Sequence, residues 1–295
     1  MTQIQQPFFS IIIPTYNRPE QLALCLQALA CQDYPSDCFE VIVVDDGSQT
    51  PLHEYVEPFQ KSFDIKLITQ DNAGPATARN TGATQAKGQF LAFTDDDCQP
   101  EPNWLRNLAA GFKDKPNCAI GGITINQLPK NIYSTASQLL IDYLYSYYNS
   151  EYNKARFFTT NNLALPAKLF HAMSGFDTNF PLAAAEDRDF CHRWLNNGYQ
   201  MIYNPQVVVY HEHHLTLFSF WRQQFNYGRG AFLFHRAKRS TGDTEQEPKS
   251  FYCNLIRYPF SKTALLKASI LAILMVMSQV AITAGYLIEA VKIYD

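Results

Sequence analysis

The sequence has no cysteine pair at C-x-x-C spacing; its seven cysteines are scattered over 295 residues, and the number is odd. That argues against a disulfide framework or a zinc site and fits a reducing compartment. Charge is also scarce. Charged residues make up 17% of the chain and the net charge is −3, so the whole molecule is not an electrostatic binder of nucleic acid. No G-x-x-x-x-G-K-[ST] run is present, which argues against a P-loop enzyme, and no G-x-G-x-x-G follows the first apolar run, which argues against a dinucleotide enzyme. The start, MTQIQQPFFS, lacks the charged head and long apolar core of a signal peptide. No internal repeat is found.

What is present is globular: 46% of residues are hydrophobic, enough for one large domain or two smaller ones. Charge is unevenly spread. Residues 222–267 carry nine Lys/Arg against three acids, a local +6 that leaves −9 for the remainder. This basic stretch leads into Ala268–Ile288, 21 residues without a charge between Lys267 and Glu289. As a helix the stretch is roughly 31 Å long, about one bilayer core. It is expected to span or re-enter a membrane, with a buried terminal helix or an interfacial helix as the alternatives.

Periodicity sets the organisation. Phe8–Ile13, Val41–Val44, Ile65–Ile68 and Phe90–Phe93 are short apolar runs and read as strands. Between them Glu20–Ala30, His53–Lys61 and the small-residue stretch after the Gly-Pro of NAGPATARNTGATQAKG read as helices. Strands alternating with helices predict an α/β protein with a doubly wound, mostly parallel sheet. Ligand sites in such sheets form at the carboxyl ends of the strands, so the loops Pro14–Arg18, Asp45–Ser48 and Asp95–Asp97 are expected on one edge. Beyond residue 100 the alternation weakens. Ala119–Ile125 and Val207–Tyr210 read as strands; Tyr133–Tyr152, Glu186–Leu195 and Thr216–His235 read as helices. FFTTNNLALPAKLF reads as strand, turn and helix start, and the polar 240–250 stretch as a loop.

LAFTDDDCQP sets three aspartates behind an apolar run with no neutralising charge close in sequence. Clustered carboxylates want cations, and hard divalent ions prefer carboxylate oxygens and bridge to phosphates. In an extended segment Asp95 and Asp97 face one side and Asp96 the other. A solvated acidic loop or a cap for the helix near Trp104 is the plainer reading. Asp46 in VIVVDDGS follows a buried strand, where an acid can meet a base or ribose; an Asp-Gly turn needs no ligand at all. In PTYNR, Thr15, Asn17 and Arg18 are placed to contact a nucleotide or to cap a helix before Pro19. Arg79 sits in a Gly/Ala/Thr helix with space beside it, suited to a phosphate or to a salt bridge with the aspartates. Glu186 and Asp187 open an amphipathic helix. A general base facing a cleft and an ordinary preference of acids for helix N-termini both account for them.

FSIIIPTYNRPEQLALCL, EVIVVDDGS, NAGPATARNTG, FLAFTDDDCQP, GFD and EDRDFCHRWLNNGY occur in one order over residues 9–200. This ordered set resembles the family 2 glycosyltransferases with a GT-A fold. The resemblance covers about two thirds of the chain. It implies transfer of a sugar from a nucleotide-diphosphate-sugar donor to an acceptor hydroxyl with inversion. The implied nucleotide site comprises Pro14, Thr15, Tyr16, Asn17, Arg18, Asp46, Arg79, Asp95 and Asp96. The implied Mg²⁺ or Mn²⁺ site comprises Asp95, Asp97 and His211, and the implied catalytic pair is Asp187, as general base, with Glu186. His213 and His214 are expected in an exposed loop. RQQFNYGRG stands where processive synthases carry Q-x-x-R-W, which favours single addition.

The expected organisation is a catalytic domain over 1–235, with its nucleotide half at about 8–100 and its acceptor half at about 101–235. A basic linker over 236–263 and a membrane-associated helix over 264–290 follow. Basic flanks favour the cytoplasmic face of the cell membrane, with a glycan or lipid-linked acceptor in cell-surface polysaccharide or glycolipid synthesis. Two rivals stand beside this: a nucleotidyltransferase, which needs a glycine-rich loop that PTYNRPEQ lacks, and a degenerate transferase serving as a membrane scaffold.

Overall fold

A computed structural model describes residues 6–151, 153–180, 184–240, 242–243 and 247–294. In chain order the elements are β1 (Phe9–Thr15), α1 (Pro19–Ala30), β2 (Phe39–Asp45), α2 (His53–Val56), β3 (Asp64–Thr69), α3 (Pro75–Thr84), β4 (Phe90–Phe93), β5 (Cys98–Pro100), α4 (Trp104–Asp114), β6 (Ala119–Asn126), α5 (Ile132–Tyr148), β7 (Leu163–Pro166), α6 (Ala167–Ala172), α7 (Glu186–Asn196), β8 (Met201–His211), α8 (Leu217–Ser240), α9 (Lys249–Arg257) and α10 (Leu265–Tyr294).

Among the described residues the strands form one eight-stranded mixed sheet, ordered β3-β2-β1-β4-β7-β6-β8-β5. β3, β2, β1 and β4 run parallel. β7 is antiparallel to both β4 and β6, so direction is restored across it, and β8 runs parallel to β6. The carboxyl ends of β1, β2, β4 and β8 therefore share one edge of the sheet.

The apolar runs become central strands because both faces of this sheet are covered. All seven residues of β2 are buried. Side chains alternate across the sheet. Ile11, Ile13, Val41 and Val43 enter a core with Leu22, Leu26 and Leu29 of α1 and Trp104 of α4. Ile12 joins Phe93, Phe170, Phe190 and Trp194 on the opposite side. The small residues of α3 turn towards the sheet. A Cβ on Gly82 would lie 2.6 Å from Ile12 Cγ2 and 3.2 Å from Val44 Cγ2, so a larger residue there forces the helix off the strands.

The first four strands fall where the periodicity puts them. The second half departs from it in three places. The FFTTNNLALPAKLF segment turns first, at Thr160–Asn162, and only then forms β7 and α6. The strand expected at Val207–Tyr210 begins earlier, at Met201, through a polar, partly exposed stretch that alternation does not reveal. Segment 236–263 contains the end of α8, all of α9 and a 3-10 turn at Tyr258–Ser261; part of the polar loop expected at 240–250 lies outside the described residues.

Candidate active site

The loops after β1 and β2 are laced together by short side chains. Asn17 adopts a left-handed conformation (φ 55°). Its amide donates to Ser48 Oγ at 2.8 Å, and its Oδ1 accepts from the Gln49 amide at 2.8 Å. Asp46 is buried and its carboxylate is fully engaged, accepting from Gln70 Nε2 at 2.7 Å and from the amides of Ala73 and Gly74 at 3.0 and 2.9 Å. It therefore holds the turn that starts α3. Thr15 is buried, Pro14 half-buried, and the Tyr16 ring exposed at the rim of the same edge.

The acid triplet does not stay extended. The Cys98 amide donates to the Asp95 carbonyl at 3.1 Å, a four-residue turn that reverses the chain from β4 into β5. The alternation expected of an extended D-x-D is lost: Asp96 and Asp97 both face Arg18, and Asp95 faces Arg79. Arg18 donates to Asp96 Oδ1 at 3.1 Å and Asp97 Oδ2 at 2.9 Å. The second Asp97 oxygen lies 3.2 Å from His211 Nε2, because Cys98 of β5 pairs directly with His211 at the end of β8. The neutralising charges missing from the local sequence arrive through the fold, from positions 78, 79 and 16 residues away.

Arg79 is the junction of the site. Its side chain is buried, donating to Asp95 Oδ1 at 2.7 Å and to Glu186 Oε1 at 3.1 Å. One guanidinium thus ties the end of β4 to the start of α7. Ala185, just before α7, takes a left-handed conformation (φ 71°), unusual for a residue with a Cβ. Glu186 Oε2 is buried without a hydrogen-bond partner, and burial pushes the Glu186 carboxyl up against the opposing pull of Arg79. Burial, and then the neighbouring Glu186 charge, push Asp187 up to about 7. Burial likewise lifts Asp96 to about 6, with Arg18 opposing. Asp97 goes the other way. Burial raises it, but His211 and Arg18 outweigh burial and hold it well below the usual carboxylate range.

Asp95, Glu186, Asp187 and His211 open onto one cavity of 610 Å³ that runs between α5, α8, α9 and α10. Towards those helices its walls mix apolar side chains such as Leu140, Phe234 and Ile282 with polar and basic ones such as Gln138, His235 and Arg239. Of the lining residues outside the expected set, two stand close to its acids and His211. His213 stacks on His211 with ring centroids 4.4 Å apart and lies 3.1 Å from Gln223 Nε2, so it belongs to the cavity wall, while His214 is exposed. The signal for His213 is the extended His-x-His spacing after β8, which sets both rings on one side. Tyr227 of α8 also lines the cavity. Burial and the charges of Asp187 and Glu186 push its phenol up. Nothing in its local sequence separates it from its aromatic neighbours.

The donor set suits a hard divalent ion. Asp97, Cys98 and His211 offer ligand atoms within 4.8 Å of one another. Burial pushes the Cys98 thiol far above its usual range, so it stays protonated and leaves carboxylate and imidazole as the ligands. Asp95, partly exposed, lines the cavity with His211 but stands outside this group of ligand atoms, its Oδ1 held by Arg79.

A sheet edge of this kind, with a basic–acidic cluster opening on a cavity that holds an acid of raised pKa, is where an α/β protein places its ligand site. The family profile described as "Glycosyl transferase family 2" matches residues 10–174. The chain belongs to that family and acts as a glycosyltransferase in glycan synthesis. Glycosyltransferase AglE of Haloferax volcanii is 29% identical over 226 residues, which is 76% of this chain and 73% of AglE. A Methanococcus voltae dolichyl N-acetyl-alpha-D-glucosaminyl phosphate 3-beta-D-2,3-diacetamido-2,3-dideoxy-beta-D-glucuronosyltransferase is 25% identical over 241 residues, covering 78% of this chain and 74% of its own. The mannosyltransferase PcManGT from Pyrobaculum calidifontis, in complex with GDP-Man and Mn²⁺, shares the fold at a TM-score of 0.66. It is 20% identical, over 98% of this chain and 87% of that one. S. aureus TarS 1-349 with UDP-GlcNAc has a TM-score of 0.57 at 18% identity, over 95% and 89% of the two chains.

Proposed function

We propose that the protein transfers one sugar from a nucleotide-diphosphate-sugar to an acceptor hydroxyl with inversion. The observation that carries this reading is the Asp95–Arg79–Glu186 bridge, which joins the donor edge of the sheet to the acid pair in one cavity. In this reading Pro14, Thr15, Tyr16, Asn17, Arg18, Asp46, Arg79, Asp95 and Asp96 surround the nucleotide, with Asp46 acting by fixing the loop before α3. A pKa of about 7 suits Asp187 to take the acceptor's hydroxyl proton near neutral pH. The acceptor oxygen then attacks C1 from the side opposite the diphosphate, the C1–O bond to the donor breaks, and the nucleoside diphosphate departs. Glu186 keeps Arg79 in place and raises Asp187. Asp95, Asp97 and His211 would hold Mg²⁺ or Mn²⁺, which when bound neutralises charge on the diphosphate.

Residues 8–100 serve the donor and 101–235 the acceptor. The apolar side chains in the far half of the cavity, interleaved with the basic Lys238 and Arg239, support a lipid-linked acceptor over a free sugar. A single helix long and apolar enough to cross a membrane, among the described residues, supports single addition over polymer export. The basic 222–267 stretch supports a position on the cytoplasmic face.

The test is thermal stability against nucleoside diphosphates and nucleotide sugars, with and without Mn²⁺, followed by diphosphate release. A Mn²⁺-dependent shift with one nucleotide class, lost in Asp97→Ala, is expected. If no nucleotide shifts the protein, the transferase reading of this site fails.

A further inference from the structure

α10 is apolar on two faces, and the two faces meet different surroundings. Ala268, Leu271, Met275, Ser278 and Ala281 are buried against the body. Leu266, Ile270, Ile273, Val276, Val280, Leu287 and Val291 form an exposed apolar stripe at helical spacing, with Leu266 78% and Ile273 67% exposed. The stripe runs about 39 Å along the helix.

The buried face is locked to α8. A Cβ on Gly228 would lie 1.9 Å from the Ile282 carbonyl oxygen, and one on Gly285 2.0 Å from that of Phe225, so the two backbones touch. Phe232 packs on Tyr286, and Arg229 Nε donates to Glu289 Oε2 at 2.6 Å. A spanning orientation of α10 would therefore carry α8 into hydrocarbon together with Arg222, Arg229, Arg236, Lys238 and Arg239, which the bilayer core opposes strongly. Residues 249–292 hold five Lys/Arg against the single acid Glu289, which Arg229 already engages. Arg257, Lys262, Lys267 and Lys292 are exposed, and Tyr252, Phe260 and Leu265 are exposed beside the first three.

We infer that α10 lies in the plane of an anionic lipid surface, its stripe in the headgroup–acyl boundary and its other face on the catalytic body, and does not cross the bilayer. Apolar area and basic charge then act together, as for other in-plane helices. This inference is independent of the transferase reading, since it uses none of the site residues.

The test uses the full chain with phosphatidylcholine vesicles, with and without phosphatidylglycerol. Flotation with the anionic vesicles is expected to exceed that with neutral ones and to fall about tenfold or more in Ile273→Glu/Val280→Glu. Both positions are exposed, so an unchanged thermal midpoint in the double variant shows that the fold is intact. In membrane vesicles, tags at the N- and C-termini are expected to be digested from the same side. Tags protected on opposite sides show a spanning helix and overturn the inference. So does a protein that fails to float and instead forms a dimer in light scattering that the double variant dissolves, because the stripe then covers a second copy.

Discussion

The two sides of the site are built by different means. On the donor side, β1, β2 and β4 are neighbouring parallel strands with buried faces, and each ends in its functional loop. The strand ends are set by backbone hydrogen bonding, and the loops beyond them are then tied by side chains such as Asn17 and Asp46. On the other side, Glu186, Asp187, His211, His213 and Tyr227 come from α7, the end of β8 and α8, and no shared backbone ladder sets their spacing. The buried Arg79 guanidinium and the Asp97–His211 contact connect the two halves. A sheet edge gives robust placement; the opposite wall depends on side-chain charges whose removal is felt at once.

Arg79→Met is the sharpest way to break that contrast. It strands the buried Glu186 carboxylate and leaves Asp95 unpaired, so a loss of about 3–5 kcal/mol is expected from denaturant unfolding. The loss should shrink as pH falls, because Glu186, already pushed up by burial, takes a proton more readily once Arg79 no longer opposes it. An equal loss at pH 5 and pH 8 would mean that packing on Phe176, not charge, anchors the residue.

Asp187→Asn should separate binding from turnover. Donor binding is expected to persist while kcat falls by about 10²-fold or more. Stability should move the other way. Asp187 has a folded pKa of about 7 against an ordinary value of 3.8, so the folded state binds the proton more tightly and wild-type stability declines as pH rises between these values. The variant lacks that decline, and its thermal midpoint is expected above wild type at pH 8, with the difference vanishing near pH 3. The same titration gives the wild-type enzyme a pH profile. kcat/KM should fall about tenfold per unit as pH drops below about 7, and hold level above it until another group titrates. A flat profile between pH 5 and 8 would move the base elsewhere.

The smallest expected effect tests the donor side. Gly82→Val sets methyl groups against Ile12 and Val44, for a cost of about 1–3 kcal/mol in urea unfolding. The sheet fixes the strand ends, but α3 also carries Arg79, so the KM for the donor should rise by up to about tenfold, still under the effect of Asp187→Asn on kcat. A larger change would show that α3 sets the donor loops directly.

Much of the donor side was legible in advance. Runs such as FSIIIPT and FEVIVVD carry their own burial signal, since a strand covered on both faces is apolar throughout. The acid side was legible as residue types and not as an arrangement. Taken alone, Asp187 and Glu186 read equally well as helix-start acids and only the ordered motif set singled them out, while His213 read as a loop residue, because the features that distinguish them come from groups far away in the chain. Glu186 meets Arg79 from 107 positions away. β5, three residues long, was invisible: CQP has no periodicity to read, and it forms only because β8 offers an edge.

The amino-acid sequence by itself determined the order of strands and helices as far as β4, the residues that end them, and the apolar character of residues 268–288. Those are local properties, written in spacing and composition. Tertiary structure alone decided that the acid triplet turns instead of running straight, that Asp97 meets His211, that Arg79 bridges two acids, and that one face of α10 is covered while the other is bare. Each depends on where distant elements cross, and crossing geometry is set by close packing across the whole core.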